Sequence, residues 1–318
     1  MLRVGLPEPI PAAWMPEFPK NVELIPLGYT SSDIHAIDFW IAPIYKKYAE
    51  PQFARLRGVR VIQSLLAGVD WMLPWATEGI TLCDGQGLHA ISTAEWSVAA
   101  ILAALKRLPD YRDRQQEQFW DGQLVGGKFS SDTEPPPYRI LGEELAGKSV
   151  LIVGYGNIGA AIEARLQPFG VEMLRVARTA RAGVASIAEL PQLLPQADIV
   201  VLIVPLTQET RGMMSASMLA KMRPGALLVN AARGPVVDTD ALLAALQQNR
   251  IRAALDVTDP EPLPKGHPLW SAPNCFLTPH VAGSTPQFFI RGYRFAAEQI
   301  ARYMAGEPLQ NIVNAQGY

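Results

Sequence analysis

The chain has 318 residues, of which 49% are hydrophobic and 18% charged, and its 28 basic and 30 acidic side chains give a formal charge of −2. This length is enough for roughly two domains, because single hydrophobic cores stop growing at about 250–300 residues. The composition excludes a disordered chain. The near-zero charge excludes the basic excess that would favour nucleic acid or an anionic membrane surface. The longest apolar runs, such as residues 96–105, are too short for a membrane span of roughly twenty residues.

The two cysteines, Cys83 and Cys275, lie far apart in the sequence, which indicates a reducing compartment without a disulfide framework. No pair or triple of His, Cys and acidic residues has the spacing of metal ligands, so the sequence predicts no metal. Prolines at positions 7, 9 and 11 interrupt the N-terminus too early for the apolar core of a secretory signal. We therefore expect a soluble, cytoplasmic, globular protein.

Short apolar runs alternate with longer amphipathic stretches, a pattern typical of βαβ units and a parallel sheet. In the first hundred residues the pattern is weak and suggests a smaller α/β domain. A helix is predicted over residues 93–108, and the polar, Gly/Pro-rich stretch 121–137 that follows is the candidate linker or protruding arm. The strand candidates of this first part are residues 22–25, 39–42, 59–62 and 80–82.

From about residue 147 to 280 the alternation is clearer and predicts six strands in one doubly wound domain. A helix is expected after the first of these strands, to about residue 170, and another over 239–248. A tail helix over 287–309 would have to pack on one of the two domains. The six strand candidates are residues 149–153, 171–177, 197–203, 226–230, 252–256 and 275–278.

The segment Gly154-Tyr155-Gly156-Asn157-Ile158-Gly159 directly follows a predicted strand and opens a predicted helix. A G-x-G-x-x-G motif is weak evidence by itself, but this context is the one that a dinucleotide-binding loop requires. Gly154 permits the tight turn, Gly156 lets the backbone approach the pyrophosphate, and Gly159 lets the helix lie close to the strand. The helix N-terminus then meets the phosphates. We interpret the motif as a dinucleotide site; the alternative is a purely structural turn.

The end of the second strand reads Val176-Ala177-Arg178-Thr179-Ala180-Arg181 and contains no carboxylate. The nearby acid Glu172 lies at the start of that strand, the wrong end for a ribose contact. An Asp would repel a 2′-phosphate, whereas Arg178, helped by Thr179 and Arg181, would pair with one. The sequence thus predicts NADP(H) in preference to NAD(H). NAD(H) is kept as the alternative, with these arginines as solvated loop charges.

Several polar residues follow the ends of later strands, where ligands bind in an open α/β sheet. They are Arg233, Asp256, Glu261 and His280. An Arg can hold a substrate carboxylate bidentately, a His can exchange a proton with a carbonyl or hydroxyl, and a carboxylate can orient the imidazole and favour imidazolium. Beside a nicotinamide, which supplies or takes a hydride, this set suits a dehydrogenase. For Arg233 or Glu261 taken alone, a structural salt bridge is the alternative.

With these motifs in this order, the sequence resembles the D-isomer-specific 2-hydroxyacid dehydrogenases over nearly its whole length, and among them the NADP-using glyoxylate/hydroxypyruvate reductases. The resemblance implies that Arg233 is the catalytic arginine, that His280 is the acid/base, and that Glu261 orients it. It also implies that Asp256 contacts the nicotinamide carboxamide. Further positions that match cofactor-lining segments of the family are Val204, Pro205, Thr210, Ala231, Ala232 and Gly283.

The resemblance extends to the front of the chain. Leu66, Ala67 and Gly68, in Leu66-Ala67-Gly68-Val69-Asp70, look like the loop whose backbone N–H groups bind the substrate carboxylate. The family's architecture implies two Rossmann-like doubly wound parallel-sheet domains. A discontinuous, flavodoxin-like substrate domain would span 1–97 and 284–318, and a nucleotide domain would span 98–283. An arm at about 105–145 would clasp a second subunit in a homodimer. Residues 84–89 are less typical of the family.

The activity that the resemblance implies is reduction of a small 2-keto acid, such as glyoxylate or hydroxypyruvate, to the D-2-hydroxy acid by NADPH. Two alternatives stay open. One is a non-catalytic NAD(P)-sensing protein that binds partners. The other is a formate-type dehydrogenase, although those relatives carry Gln where Glu261 stands.

Overall fold

The computed structural model describes residues 1–119 and 142–313. Residues 120–141, which include most of the predicted arm and the whole stretch 121–137, lie outside the described residues. The chain divides into two compact units, one formed by Met1–Ser92 with Gly283–Tyr318 and the other by Thr93–Ala282. The first unit is therefore discontinuous in sequence. The sequence analysis places the corresponding domain boundaries after residues 97 and 283.

Parallel strands alternate with helices along the described chain. In chain order the strands are β1 (Leu2–Glu8), β2 (Val22–Gly28), β3 (His35–Ala36), β4 (Phe39–Ile41), β5 (Leu56–Arg57), β6 (Val61–Gln63), β7 (Thr81–Cys83), β8 (Ser149–Val153), β9 (Glu172–Ala177), β10 (Ala185–Ser186), β11 (Ile199–Leu202), β12 (Leu227–Asn230), β13 (Arg252–Leu255) and β14 (Cys275–Leu277). In chain order the α-helices are α1 (Lys46–Arg55), α2 (Ala90–Leu105), α3 (Leu108–Gln116), α4 (Asn157–Leu166), α5 (Leu190–Leu193), α6 (Ala216–Leu219), α7 (Thr239–Gln247) and α8 (Pro286–Ala305).

The first unit contains a parallel sheet that has five strands among the described residues, in the order β2-β1-β4-β6-β7. Counted along the chain this is the 2-1-3-4-5 order of flavodoxin-like folds. The sequence analysis missed β1, because a proline inside a run argues against a central strand. Pro7 is tolerated because β1 pairs with β4 only at Val4 and Gly5, so that beyond Gly5 it pairs only with β2. The strands β3 and β5 form a separate two-stranded ladder.

The second unit contains a parallel sheet with the order β10-β9-β8-β11-β12-β13-β14, the 3-2-1-4-5-6 order of dinucleotide-binding folds extended by one strand. The prediction of six strands was wrong by one, because β10 is a two-residue edge strand beside Val176 and Ala177 and is too short to give an apolar signal. The strands β8, β11, β12 and β13 are apolar except at the terminal residues Ser149, Asn230 and Arg252, because both faces of the sheet are covered. Leu151 and Val153 pack into one core, and Val150 and Ile152 into another.

Two predicted helices end earlier than expected, each for a local reason. The helix α2 ends at Leu105 because Arg107 adopts a left-handed conformation with φ 56°, after which α3 begins. The helix α8 ends at Ala305 because Gly306 takes the left-handed C-cap position, with φ 70°. Within the first unit α8 packs its apolar face, including Phe288 and Ile300, into the core of the sheet. Among the described helices, none combines the length and apolarity needed to cross a bilayer.

The carboxyl ends of the parallel strands meet at one edge of the second unit's sheet. The chain reverses direction across the sheet between β8 and β11, so the crevice for a ligand is expected above these strands. Every cofactor and catalytic residue predicted in this unit lies in a loop that leaves this edge or on the first turn of α4. The topology thus brings together segments that are more than a hundred residues apart in the sequence.

Candidate active site

The glycine motif forms the turn between β8 and α4. Gly154 has a φ of 104°, and a Cβ at this position would overlap the carbonyl of Ile203, with the carbonyl carbon only 2.6 Å away. The amides of Gly154 and Tyr155 both donate to the Val176 carbonyl, at 2.8 and 2.9 Å. The turn is therefore pinned between β9 and the end of β11, and only glycine fits its first position.

The next two glycines fit a dinucleotide in different ways. A Cβ on Gly156, the N-cap residue of α4, would meet no atom of the described chain within 4 Å, and no side chain caps the helix there. The first turn of α4 therefore presents backbone donors to open space, which suits a pyrophosphate. Gly159 faces the sheet, where a Cβ would lie 3.1 Å from Ile152 Cγ2. The loop thus has the shape required to hold a dinucleotide cofactor.

Basic residues follow β9 where an NAD-binding site would carry an acid. Arg178, Thr179 and Arg181 are exposed. The Arg181 guanidinium donates to the Tyr155 carbonyl and lies 5.7 Å from the centroid of the Tyr155 ring. Glu172 begins β9 at the opposite edge, where it accepts a 3.2 Å hydrogen bond from Ser149 Oγ. The structure therefore brings Arg181, and not Glu172, to the glycine loop.

A carboxylate that the sequence analysis missed lies on the loop after β11. Glu209 accepts a 2.6 Å hydrogen bond from Thr207 Oγ1. This bond, a backbone hydrogen bond and, as a smaller contribution, the charge of Arg178 hold the pKa of Glu209 below its ordinary range. Glu209 is 31 positions from Arg178 in the sequence, so no local pattern signals that the two charges interact.

The predicted cofactor-lining residues Val204, Pro205 and Thr210 lie in the same loop after β11. Thr210 Oγ1 donates to the Pro205 carbonyl at 2.7 Å and accepts from the Thr207 amide at 2.8 Å. These bonds close the loop on itself at the carboxyl edge of the sheet. Thr210 therefore shapes this wall of the site, whatever contact it makes with a bound cofactor.

Arg233 is held by a polar residue at the end of β12. Asn230 is 1% exposed; its Oδ1 accepts from the Ala232 amide at 3.0 Å and its Nδ2 donates to the Arg233 carbonyl at 3.2 Å. The half-buried Arg233 side chain donates from Nη1 to the Ala232 carbonyl at 2.7 Å. Asn230 thus fixes the turn that carries Ala231, Ala232 and Arg233. The sequence analysis treated Asn230 as a strand end, although a polar residue that closes an apolar strand is itself a sign of a positioning role.

The loop after β12 packs directly against the loop after β13. A Cβ on Gly234 would overlap the Thr258 carbonyl and lie 2.7 Å from the Asp259 nitrogen. Gly234 is therefore required for the close approach of the two backbones, one of which carries Arg233 and the other Glu261.

We expect Gly234→Ala to lower the free energy of unfolding by about 1–3 kcal/mol, since inserting a methyl group into packed structure costs this much even where side chains can adjust. Here the opposing atoms belong to the backbone, so the loops must separate. Urea denaturation followed by circular dichroism measures the change. Gly142→Ala is the matched control, because its Cβ would lie no closer than 3.5 Å to any described atom. Equal stability of the two variants would contradict this packing argument.

His280 and Glu261 form a hydrogen-bonded pair. His280 Nδ1 lies 2.6 Å from Glu261 Oε1, and the two side chains are 45% and 40% exposed. Burial by itself would raise the pKa of Glu261. The hydrogen bond and charge of His280, a backbone hydrogen bond from Thr258 and the positive charge of Arg233 outweigh it, so that the pKa lies below its ordinary range. Glu261 therefore stays ionised well into the acid range and leaves His280 Nε2 as the nitrogen able to exchange a proton.

Asp256 organises the segment that carries His280. It is 2% exposed, and its carboxylate accepts hydrogen bonds from Thr278 Oγ1 at 2.6 Å and from the amides of Val281 and Ala282, both at 2.8 Å. The His280 amide donates to the Asp256 carbonyl at 2.7 Å. These bonds hold His280 at a φ of 55°, a conformation that non-glycine residues adopt rarely. The structure thus gives Asp256 a positioning role, and its contact with a nicotinamide stays a prediction.

The predicted residues of the first unit lie in two places. Leu66, Ala67 and Gly68 follow β6, and the Leu66 amide donates to Ser64 Oγ at 3.0 Å. Gly283 lies against His89, whose Nδ1 would be 2.5 Å from an added Cβ, and the His89 ring stacks on Phe288 at a centroid distance of 4.1 Å. Gly283 is thus explained by packing within this unit, and a cofactor contact stays a prediction.

Metal ligation has no candidate in the described ranges 1–119 and 142–313, where no group of three or more His, Cys, Asp or Glu residues could hold an ion.

Comparison with known proteins places this site in a family. Residues 98–282 match the model of the D-isomer specific 2-hydroxyacid dehydrogenase, NAD binding domain. The chain is 35% identical over 271 residues to a glyoxylate reductase of Thermofilum pendens, covering 81% of this chain and 76% of that protein. It is 32% identical over 253 residues to the chloroplastic/mitochondrial formate dehydrogenase of Arabidopsis thaliana, covering 76% of this chain and 62% of that protein.

Among solved structures, an NADPH-dependent glyoxylate/hydroxypyruvate reductase from Sinorhizobium meliloti, in complex with NADP and sulfate, superposes with a TM-score of 0.79. The two proteins are 25% identical, and the match covers 100% of this chain and 99% of the other. The fold and the site together define an NAD(P)-dependent oxidoreductase. The chain belongs to the D-isomer specific 2-hydroxyacid dehydrogenase family.

Proposed function

We propose that this protein reduces a small 2-keto acid of the glyoxylate/hydroxypyruvate class to the D-2-hydroxy acid, with NADPH as the hydride donor. The observation that carries the proposal is the His280–Glu261 pair, whose side chains lie 2.6 Å apart. Glu261 belongs to the loop after β13, which packs against the Arg233 loop. The names of the reductases of Thermofilum pendens and Sinorhizobium meliloti support the same substrate class.

Each side chain of the site has a distinct task in this reaction. The Arg233 guanidinium binds the substrate carboxylate and polarises the keto oxygen, because its planar fork matches a carboxylate. His280 donates the proton from Nε2 to the oxygen that becomes the hydroxyl. Glu261 accepts from Nδ1 and so orients the ring and stabilises the imidazolium. A bound nicotinamide supplies the hydride, and the glycine loop with the first turn of α4 would hold its pyrophosphate.

The test is an initial-rate assay that follows NADPH absorbance with glyoxylate, hydroxypyruvate, pyruvate and a branched keto acid, repeated with NADH. We expect NADPH oxidation with at least one of the first two substrates. A protein that folds and binds NADPH but oxidises it with none of the four would overturn the proposal. The same assay with formate and NAD⁺ tests the second candidate.

That second candidate, a formate-type dehydrogenase, is favoured by the similarity to the Arabidopsis enzyme. Glu261 argues against it, since formate-type relatives carry Gln at this position. A partner-binding NAD(P) sensor is disfavoured by the complete set of Arg233, Glu261 and His280. Undiminished turnover in a variant lacking all three side chains would remove this objection. The homodimer and its arm stay predictions from the family resemblance.

The basic residues after β9 predict the cofactor preference. Replacing Arg178 and Arg181 together with alanine should raise the KM for NADPH about 10- to 100-fold, since a hydrogen bond to a charged group contributes roughly 1.5–3 kcal/mol. The KM for NADH should change little. Steady-state kinetics with both cofactors measures the ratio. Lys221→Ala, which removes an exposed basic residue just before β12, is the control. Equal losses for NADPH and NADH would show that the arginines do not read the 2′-phosphate.

A further inference from the structure

Asp84 is a buried acid that the proposed chemistry does not use. It follows β7 and is 6% exposed. In the part of the chain that the structure describes, its carboxylate accepts one hydrogen bond, from the Gln86 amide at 2.9 Å, and takes part in no ion pair. A buried carboxylate without a cation is costly when it is charged, so this placement requires an explanation.

The backbone around Asp84 adjoins the loop of residues 66–68. The Ser64 amide donates to the Cys83 carbonyl and the Gly85 amide to the Leu66 carbonyl, both at 2.8 Å. A Cβ on Gly85 would overlap the Leu65 carbonyl, whose carbon lies 2.5 Å away. The pairing of β6 with β7 thus continues past both strand ends. Asp84 precedes Gly85, which packs so closely against Leu65 that a side chain would not fit.

Buried amides hold Asp84 from the other side. The Asp84 amide donates to the Asn311 carbonyl at 3.0 Å, and its carbonyl accepts from Gln63 Nε2 at 3.1 Å. Gln63 in turn accepts from Gln299 Nε2 of α8 at 3.1 Å, and both glutamines are 0% exposed. This network fixes the Asp84 backbone beside the loop.

We propose that Asp84 is a positioning residue whose protonation state sets how strongly residues 66–68 bind the carboxylate of the substrate. The neutral carboxyl permits binding, and the charged form weakens it by like-charge repulsion through the buried loop. This inference rests on the proposed function, since it takes the ligand of the loop to be a small keto-acid anion.

The charge state of Asp84 changes within the working range of most enzymes. Burial raises the pKa of Asp84 to about 6, against the opposing hydrogen bond from Gln86. The adjacent Cys83 thiol is neutral, because burial raises its pKa to about 12. The facing segments 64–68 and 310–313, and Gln299 on α8, carry no charge. On neighbouring segments, Arg291 of α8 donates to the Leu88 carbonyl, and the His89 ring stacks on Phe288 at a centroid distance of 4.1 Å.

The test compares wild type, Asp84→Asn and Glu78→Gln between pH 5 and pH 8. Asn mimics the neutral carboxyl, and Glu78 is an exposed acid shortly before β7. The KM for glyoxylate is measured together with the dissociation constant of oxalate in the presence of NADPH. Relative to Asp84→Asn, we expect both constants of wild type to rise about fivefold or more across pH 6, because the charged carboxylate repels a bound anion. The kcat should stay within about twofold, and Glu78→Gln should follow wild type.

Thermal unfolding shows whether Asp84 titrates in the folded protein. An acid with a raised folded pKa destabilises the fold as pH rises from the unfolded value through the folded value. The Tm advantage of Asp84→Asn should therefore be small near pH 4 and grow to a plateau above about pH 6. An oxalate affinity ratio between wild type and Asp84→Asn that is independent of pH would overturn the inference. If the protein bound oxalate with the expected pH dependence but reduced no keto acid, the role of Asp84 would stand and the proposed reaction would be overturned.

Discussion

Replacing Arg233 with alanine is expected to lower kcat/KM for glyoxylate by about a thousandfold, with the fold intact. Removing one partner of a hydrogen-bonded charge pair in a binding site costs roughly 2–5 kcal/mol, and here the same guanidinium also stabilises charge that develops on the keto oxygen. Both KM and kcat should therefore change. Initial rates at saturating NADPH, with urea denaturation as the fold check, measure the effect.

Arg233→Lys separates charge from geometry. Lysine keeps the positive charge but lacks the planar fork of donors, so we expect it to recover only part of the loss. Full recovery by lysine would indicate that Arg233 acts as a point charge and not as a bidentate ligand. A wild-type rate in Arg233→Ala would remove this residue from the reaction altogether.

The second large effect is expected at His280. Losing the proton donor should lower kcat by about 10²–10⁴-fold, the usual contribution of general acid–base catalysis. His280→Asn is preferred to alanine, because His280 has a φ of 55° and asparagine tolerates this left-handed conformation better than most residues. NADPH binding, followed by fluorescence titration, should be unchanged. A rate within tenfold of wild type would show that another group donates the proton.

Glu261→Gln is the companion to this variant and carries the pH signature. The pKa of Glu261 lies below its ordinary range. The stabilisation from its charge is therefore present above the unfolded value and is lost only as pH falls through the lower folded value. Gln keeps the shape but removes this charge, so the Tm of wild type should exceed that of Glu261→Gln at neutral pH, and the difference should shrink as the pH falls through the lower folded value. A Tm difference that does not change with pH would leave Glu261 a purely steric role.

Much of the candidate site could be read from local patterns. The glycine motif between a strand and a helix predicted the β8–α4 turn, where Gly154 has a conformation and a close contact that only glycine meets. The apolar runs that end in Asn230, Asp256 and Thr278 predicted the strand ends after which Arg233, Glu261 and His280 lie. In an all-parallel sheet, strand ends share one edge, so residues that follow different strands are brought together.

The elements that were missed are those whose signal is not local. The strand β1 contains Pro7, which is acceptable only because no neighbour pairs with that side of the strand beyond Gly5. The strand β10 has two residues and exists because β9 offers an unpaired edge. The need for Gly234 comes from the Thr258 carbonyl, 24 positions away, and no pattern around Gly234 indicates it.

The sequence by itself determined the class of fold and predicted the dinucleotide loop and the reacting side chains, because these depend on residue type and on short-range periodicity. Only the tertiary structure decided how those side chains are held. Asp256 is a positioning residue because its carboxylate is buried and takes up three hydrogen bonds from the His280 segment. Asp84 is unusual because β6 and the C-terminal segment enclose it. Burial and hydrogen-bond partners are set by contacts between distant parts of the chain, and these exist only once the chain has folded.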